Sequence, residues 1–243
     1  MTKLSRRHLL TGGVAAAAGV TGLAIGDRFG LVPPGYKNVY GLGETLTYAS
    51  QRLLTANSMA REFPRSEISP TPFANGSPPK QEEFKSSEAA GFSDWHLEID
   101  GLVARPSVLS LDEIKNLPKS SQITQRICEE GWSFIAEWIG TPLVEALESV
   151  GVLPQARYVV YSSIQPNWSG SIDLADALHP QTLLTYGMNG ADLPVGHGGP
   201  LRLRVPRQMG YKSVKYITRI TVTETLKGVV PESGTPYSWY AGI

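Results

Sequence analysis

The chain has 243 residues, 22 Lys plus Arg balanced by 22 Asp plus Glu, and a single cysteine. Zero formal net charge argues against nucleic acid as the main partner. One thiol excludes an intramolecular disulfide and any multi-cysteine zinc or iron–sulfur centre.

At the start, Ser5-Arg6-Arg7-His8-Leu9-Leu10 sets an arginine pair ahead of a weakly apolar stretch running to Ile25. A short basic region before such a stretch reads as an export signal, and the paired arginine indicates the twin-arginine route. Residues 1–26 are therefore expected to be a twin-arginine signal, recognised by that export machinery, or an uncleaved tether. The expected location is periplasmic or otherwise extracytoplasmic. Disulfides are permitted there, yet this chain has none, so its thiol needs protection by burial or by a metal.

Residues 27–91 read as an irregular extension, with Val32-Pro33-Pro34-Gly35, Ser69-Pro70-Thr71-Pro72 and Asn75-Gly76-Ser77-Pro78-Pro79 leaving little room for regular structure. A short helix is possible around Leu46–Arg61. Residues 92–228 form the expected domain core. Trp95–Ile99 alternates as a strand, Asp100-Gly101 turns, and Leu102–Leu109 returns beside it. Ser110-Leu111-Asp112-Glu113 is a capping box opening a helix that Pro118 ends. Ser120–Ile127 alternates, and Thr141-Pro142 reads as cap and first residue of a second helix reaching Val150. Tyr158–Ser163, Leu183–Met188, Leu201–Val205 and Lys215–Thr223 are further strands, with Asn189-Gly190 as a tight hairpin turn. Residues 229–243 are a tail. Mostly strand with scattered short helices predicts a mixed, strand-rich α+β domain.

Two clusters carry chemistry. Cys128 sits in Gln125-Arg126-Ile127-Cys128-Glu129-Glu130-Gly131-Trp132, where the alternation of Ser120–Ile127 breaks. A thiol at such a break can be a core residue, a nucleophile, or one soft thiolate ligand to a metal held otherwise by something else. The second cluster is His197-Gly198-Gly199-Pro200-Leu201-Arg202-Leu203-Arg204-Val205. Period two puts Arg202 and Arg204 on one face, an arrangement suited to a phosphate or another anion, against the alternative of an edge strand meeting water. Gly210-Tyr211-Lys212-Ser213-Val214-Lys215 adds donors.

Taken together, these segments resemble the sulfite-oxidase-like molybdopterin family, in particular the bacterial exported methionine-sulfoxide-reductase branch. The resemblance covers roughly residues 60–224 and rests on four ordered blocks. They are Cys128–Trp132 followed by Trp138-Ile139-Gly140-Thr141-Pro142-Leu143, then Ser171–Leu183, then His197–Arg202, and Gly210–Lys215. It implies one molybdenum–molybdopterin cofactor per chain in a sulfite-oxidase-type domain. The family's metal-ligating cysteine falls on Cys128. Its cofactor-binding positions fall on Asn75, Ser163, His197, Arg202, Ser213, Val214 and Lys215, whereas Arg204 has no dependable counterpart.

The expected reaction is two-electron oxygen-atom transfer, with Glu130 as a proton donor or acceptor or as a residue that orients water. True sulfite oxidases surround the metal with arginines. Here Ala74 stands where one would sit, and Glu129 and Glu130 follow Cys128. Carboxylates beside the ligand repel a dianion, at roughly several tenths of a kcal/mol even in water. A neutral S- or N-oxide is therefore the expected small-molecule substrate. Trp132 and Trp138 read as core packing and Trp168 as a substrate contact. Electrons are expected to come from, or go to, a separate partner, a membrane haem protein or cytochrome, and the chain is expected to be a monomer. The rival readings are a sulfite-oxidase-like dehydrogenase, a metal-free cysteine-nucleophile enzyme drawing on His96, His179 or His197, and a relay protein with no turnover of its own.

Overall fold

The computed structural model describes residues 32–33, 41–226 and 237–243. The expected export signal lies outside the described residues. The chain divides between Ala56 and Asn57 into two compact units. The first carries helix α1 (Gly41–Leu54), which starts and ends earlier than the helix expected around Leu46–Arg61. Everything below concerns the second unit, Asn57–Ile243.

Two five-stranded sheets build this unit. In the first, β1 (His96–Gly101) pairs with β2 (Ser107–Ser110) on one side and runs parallel to β10 (Ile217–Thr223) on the other. β10 continues to β5 (Tyr158–Ser163), and β5 to β6 (Ser169–Asp173). Asp100 and Gly101 lie inside β1, so no tight turn forms there; only the second half of the expected Leu102–Leu109 strand is extended as β2.

The second sheet begins with the hairpin of β3 (Ser120–Ile127) and β4 (Ser133–Pro142), paired over their whole length. β4 pairs with β7 (Leu183–Met188), whose other edge takes β8 (Ala191–Asp192) at one end and β9 (Arg202–Arg204) at the other. Asn189 and Gly190 both have positive φ, 53° and 83°, as the hairpin turn between β7 and β8 requires. Gly140 lies at a register shift where a Cβ would meet the Leu184 carbonyl oxygen at 2.3 Å, so only glycine lets β4 lie this close to β7.

Short helices cover the sheets. α2 (Glu82–Ala89) falls within the stretch expected to be irregular. α3 (Leu111–Asn116) carries the expected capping box, with the Ser110 hydroxyl accepting from Glu113 N and the Glu113 carboxylate accepting from Ser110 N. α4 (Leu143–Val150) is capped at Pro142 without a side-chain bond. Thr141 belongs to β4, and its hydroxyl donates to the Ile114 carbonyl at 2.8 Å, which corrects its expected capping role. α5 (Leu174–Ala177) is a single turn capped by Asp173. The main core joins β1, α4, β5, β7, β9 and β10 through residues such as Leu97, Leu147, Val159, Leu184, Leu203 and Ile220. A second, smaller cluster of Phe134, Ala136, Trp138, Leu183, Met188 and Leu193 lies on the other side of the second sheet.

Candidate active site

Period two along β3 turns Gln122, Thr124 and Arg126 inward, and Cys128 follows in the same phase just past the strand. The facing residues of β4 are Phe134 opposite Arg126, Ala136 opposite Thr124 and Trp138 opposite Gln122. One sheet face therefore carries a thiol, a guanidinium and an aromatic floor in order. Cys128 is 2% exposed. A tight turn follows it, in which Gly131 N donates to Cys128 O and Cys128 N to Trp132 O, with Gly131 at φ 91°.

Two carboxylates crowd the thiol. Cys128 Sγ lies 3.4 Å from Glu129 Oε2 and 3.9 Å from Glu130 Oε2. Burial first, then the Glu129 carboxylate, push the thiol pKa up; a bond to the Glu130 backbone and the nearby Arg126 act against them. Glu130 Oε2 also accepts from Trp132 Nε1 at 2.9 Å and from Asn75 Nδ2 at 3.2 Å. The irregular N-terminal loop thus reaches, through Asn75, one of the carboxylates beside Cys128.

The other end of this face is cationic. Along β9 and its two flanking residues, Leu201, Leu203 and Val205 join the main core, while Arg202 and Arg204, each 1% exposed, lie 5.5 and 5.2 Å from the Trp138 ring. The water-facing edge-strand alternative is thereby set aside. Arg202 donates to the carbonyls of His197 (2.6 Å) and Ser213 (2.5 Å). Arg204 donates to Gln125 O at 2.6 Å and reaches Ser213 Oγ and Thr124 Oγ1 at 3.5 Å. Lys215 Nζ donates to Asn75 O and Gly196 O, both at 2.5 Å, which ties the N-terminal loop to the turn that carries His197. Gly198, at φ 106°, leaves room for this: a Cβ there would meet the Lys215 side chain at 2.9 Å.

These groups repel one another. Burial, then Arg126 and Arg204, hold Arg202 well below the usual guanidinium range; burial and Arg126 bring Arg204 down to about 9. Burial, Arg202 and Arg126 bring Lys215 to about 7, and burial with Arg202 and Lys215 brings His197 to about 4, so its ring is neutral near pH 7. Arg202 Nε and Arg204 Nε are buried with no hydrogen-bond partner among the described residues. Buried, mutually repelling cations with spare N–H groups call for an anion. The donor set suits a phosphate at one end and a soft metal bound by thiolate at the other, which is the charge layout that a molybdopterin cofactor needs.

Of the expected positions, Asn75, Cys128, Glu130, His197, Arg202, Ser213 and Lys215 are linked through bonds and close charges. Val214 O accepts from Leu203 N, holding the 213–215 segment against β9. Ser163 ends β5 opposite Ile217 of β10, and its hydroxyl accepts from Gln165 N. Trp168 is 62% exposed in the β5–β6 connection, which meets the Asn75 loop through Gln165 Nε2 and Ser77 O. Three features escaped the sequence reading. Arg126, in phase with Cys128, supplies the cation expected to be missing near the metal ligand. Trp132 is the hydrogen-bond donor to Glu130 rather than plain packing. The C-terminal segment ties down the loop at 207–213: Met209 N donates to Ala241 O, Ile243 N to Arg207 O and Tyr211 OH to Ser238 O, while Trp239 Nε1 donates to Ser171 Oγ.

Comparison with known proteins points to the same cofactor class. Residues 84–228 match the model of the oxidoreductase molybdopterin binding domain. The chain is 38% identical over 190 residues to an Azospira oryzae protein with the provisional name protein-methionine-sulfoxide reductase subunit YedZ1, covering 78% of this chain and 70% of that one. It is 33% identical over 162 residues to the protein-methionine-sulfoxide reductase catalytic subunit MsrP of Xanthomonas campestris pv. campestris, covering 60% of this chain and half of that protein. The crystal structure of the sulfane dehydrogenase SoxCD from Paracoccus pantotrophus superposes with a TM-score of 0.53 at 23% identity, over 55% of this chain and 39% of that one, a likeness of fold.

Proposed function

Because the chain belongs to the oxidoreductase molybdopterin-binding domain family, we propose that it catalyses two-electron oxygen-atom transfer on a neutral S- or N-oxide. The observation that carries this reading is the pair of carboxylates within 3.9 Å of Cys128 Sγ, which outnumber Arg126, the buried guanidinium beside them. Negative charge at the metal end disfavours sulfite and admits an uncharged oxide. A methionine-sulfoxide-type substrate also accords with the names of the relatives.

Cys128 would hold the metal; burial and the Glu129 carboxylate raise its thiol pKa, and coordination would remove that proton outright. Arg202, Arg204 and Lys215 would hold the phosphate; Asn75, Ser163, His197 and the Ser213-Val214 backbone would border the pterin. When bound, the cofactor supplies two-electron redox chemistry, and the protein supplies position and charge. Reducing a sulfoxide to a sulfide and water consumes two electrons and two protons. Glu130 would donate or accept a proton or orient water, and the electrons would come from a separate redox protein, a membrane haem protein or cytochrome. Export follows from the Arg6-Arg7 motif. Among the described residues no helix is long and apolar enough to cross a membrane.

The deciding measurement is molybdenum and released pterin per chain, in the wild type and in Cys128→Ala. About one equivalent of each in the wild type, with metal lost from the variant, is expected. A wild type free of both would overturn the reading. Turnover of dialkyl sulfoxides and of sulfite with artificial electron donors or acceptors then tests substrate class.

A further inference from the structure

Glu130 is exposed, yet one of its oxygens is shared among three neighbours: Trp132 Nε1, Asn75 Nδ2 and Cys128 Sγ. An exposed carboxylate left to itself samples several rotamers, so its position beside the thiol needs a cause. The shortest of the three contacts comes from Trp132, whose indole N–H is donor-only. The turn closed by Cys128 N on Trp132 O brings the indole back over Glu130.

The indole is itself held. Phe73 meets it edge-on at 5.0 Å, Phe134 stacks with it at 6.0 Å and 3° between planes, and the Arg126 guanidinium lies 5.5 Å from the ring. Such bracing on several sides is what a positioning residue requires. Plain packing would account for the ring contacts but not for an N–H aimed at the carboxylate next to the only thiol.

We propose that Trp132 is a positioning residue for the reaction: its braced indole N–H holds Glu130 Oε2 beside Cys128, so that this carboxylate keeps one place relative to the bound metal and the substrate. This rests on the function proposed above and adds a residue to it. Trp132→Phe keeps the ring and removes only the donor.

The test uses holoenzyme of the wild type, Trp132→Phe, Glu130→Gln and the double variant. Molybdenum per chain, the midpoint potential, and kcat and KM for a dialkyl sulfoxide are measured on each. Trp132→Phe is expected to keep its metal and to move the potential upward, in the same sense as Glu130→Gln, because negative charge leaves the metal's side. Its kcat is expected to fall roughly tenfold while KM stays within about twofold. The double variant is expected to match Glu130→Gln alone, since both changes act through one carboxylate. A Trp132→Phe enzyme with wild-type potential and kcat, beside an altered Glu130→Gln, would overturn the proposal and leave the wider function standing. Loss of metal from Trp132→Phe would also overturn it, because the residue would then act on loading. A Glu130→Gln enzyme identical to the wild type would remove the role of Glu130 and Trp132 together, with Cys128-dependent metal binding unaffected.

Discussion

A guanidinium at 1% exposure with its Nε unpaired, as at Arg202 and Arg204, is retained at a cost that an incoming anion removes. Anything that binds the folded state alone raises stability by mass action. Inorganic phosphate at millimolar levels is accordingly expected to raise the Tm of metal-free protein. Arg202→Met is expected to abolish that rise, which differential scanning fluorimetry would show; an equal rise in the variant would place phosphate elsewhere. Much of this was legible in the residues. Leu-Arg-Leu-Arg-Val alternation put both arginines on one face, and the break after Ile127 singled out Cys128. Arg126 was harder to see, because its role depends on the register that sets β3 against β4 and turns it toward β9. Trp132 escaped for a related reason: an indole in a sequence says nothing of what its N–H will meet.

At the scale of elements, the strands with clean alternation or β-branched runs, β3, β5 and β7, lie where the sequence puts them. β4 and β6 were not anticipated. Gly140 and Pro142 disguise the end of β4, and β6 reads Ser-Gly-Ser-Ile-Asp, with a single strong strand former. Thr141-Pro142 mimics a helix start, but the tertiary bond from its hydroxyl to Ile114 keeps Thr141 extended. The loop at 207–213 illustrates how elements cooperate. It offers Ser213 O to Arg202 and Gly210 O to Arg126, and it is fastened from outside by residues 237–243. Removing residues 237–243 deletes three main-chain acceptors or donors and the Trp239 contacts, a loss of about 2–4 kcal/mol. The truncated protein is expected to unfold at lower urea and to retain several-fold less molybdenum after gel filtration. Retention equal to the full chain would confine the segment to stability alone.

For the whole molecule, the cationic end of the site makes stability depend on pH. His197 titrates at about 4 when folded, against about 6.5 in an unfolded chain, and Lys215 at about 7 against about 10.4. In both windows the unfolded state binds more protons, so stability of the metal-free protein rises with pH from about 4 to 6.5 and again from about 7 to 10. The histidine alone contributes up to about 3 kcal/mol between those limits. Urea titrations at stepped pH check this. His197→Gln is expected to flatten the lower window and Lys215→Met the upper one, and a bound phosphate is expected to weaken the upper slope by favouring the charged lysine.

The fastening by residues 237–243 has a consequence in time. Synthesis runs from the N-terminus, so β1 to β10 are complete at Thr223, before Ser238, Trp239 and Ala241 exist. At about 5–20 residues per second, the ribosome needs roughly one to four seconds to add residues 224–243. Until those residues have emerged, the loop bearing Ser213 lacks the partners that fasten it from outside. The cradle around Arg202 is therefore fastened by residues made later than all of its own, and whatever meets the chain before them meets it without that fastening.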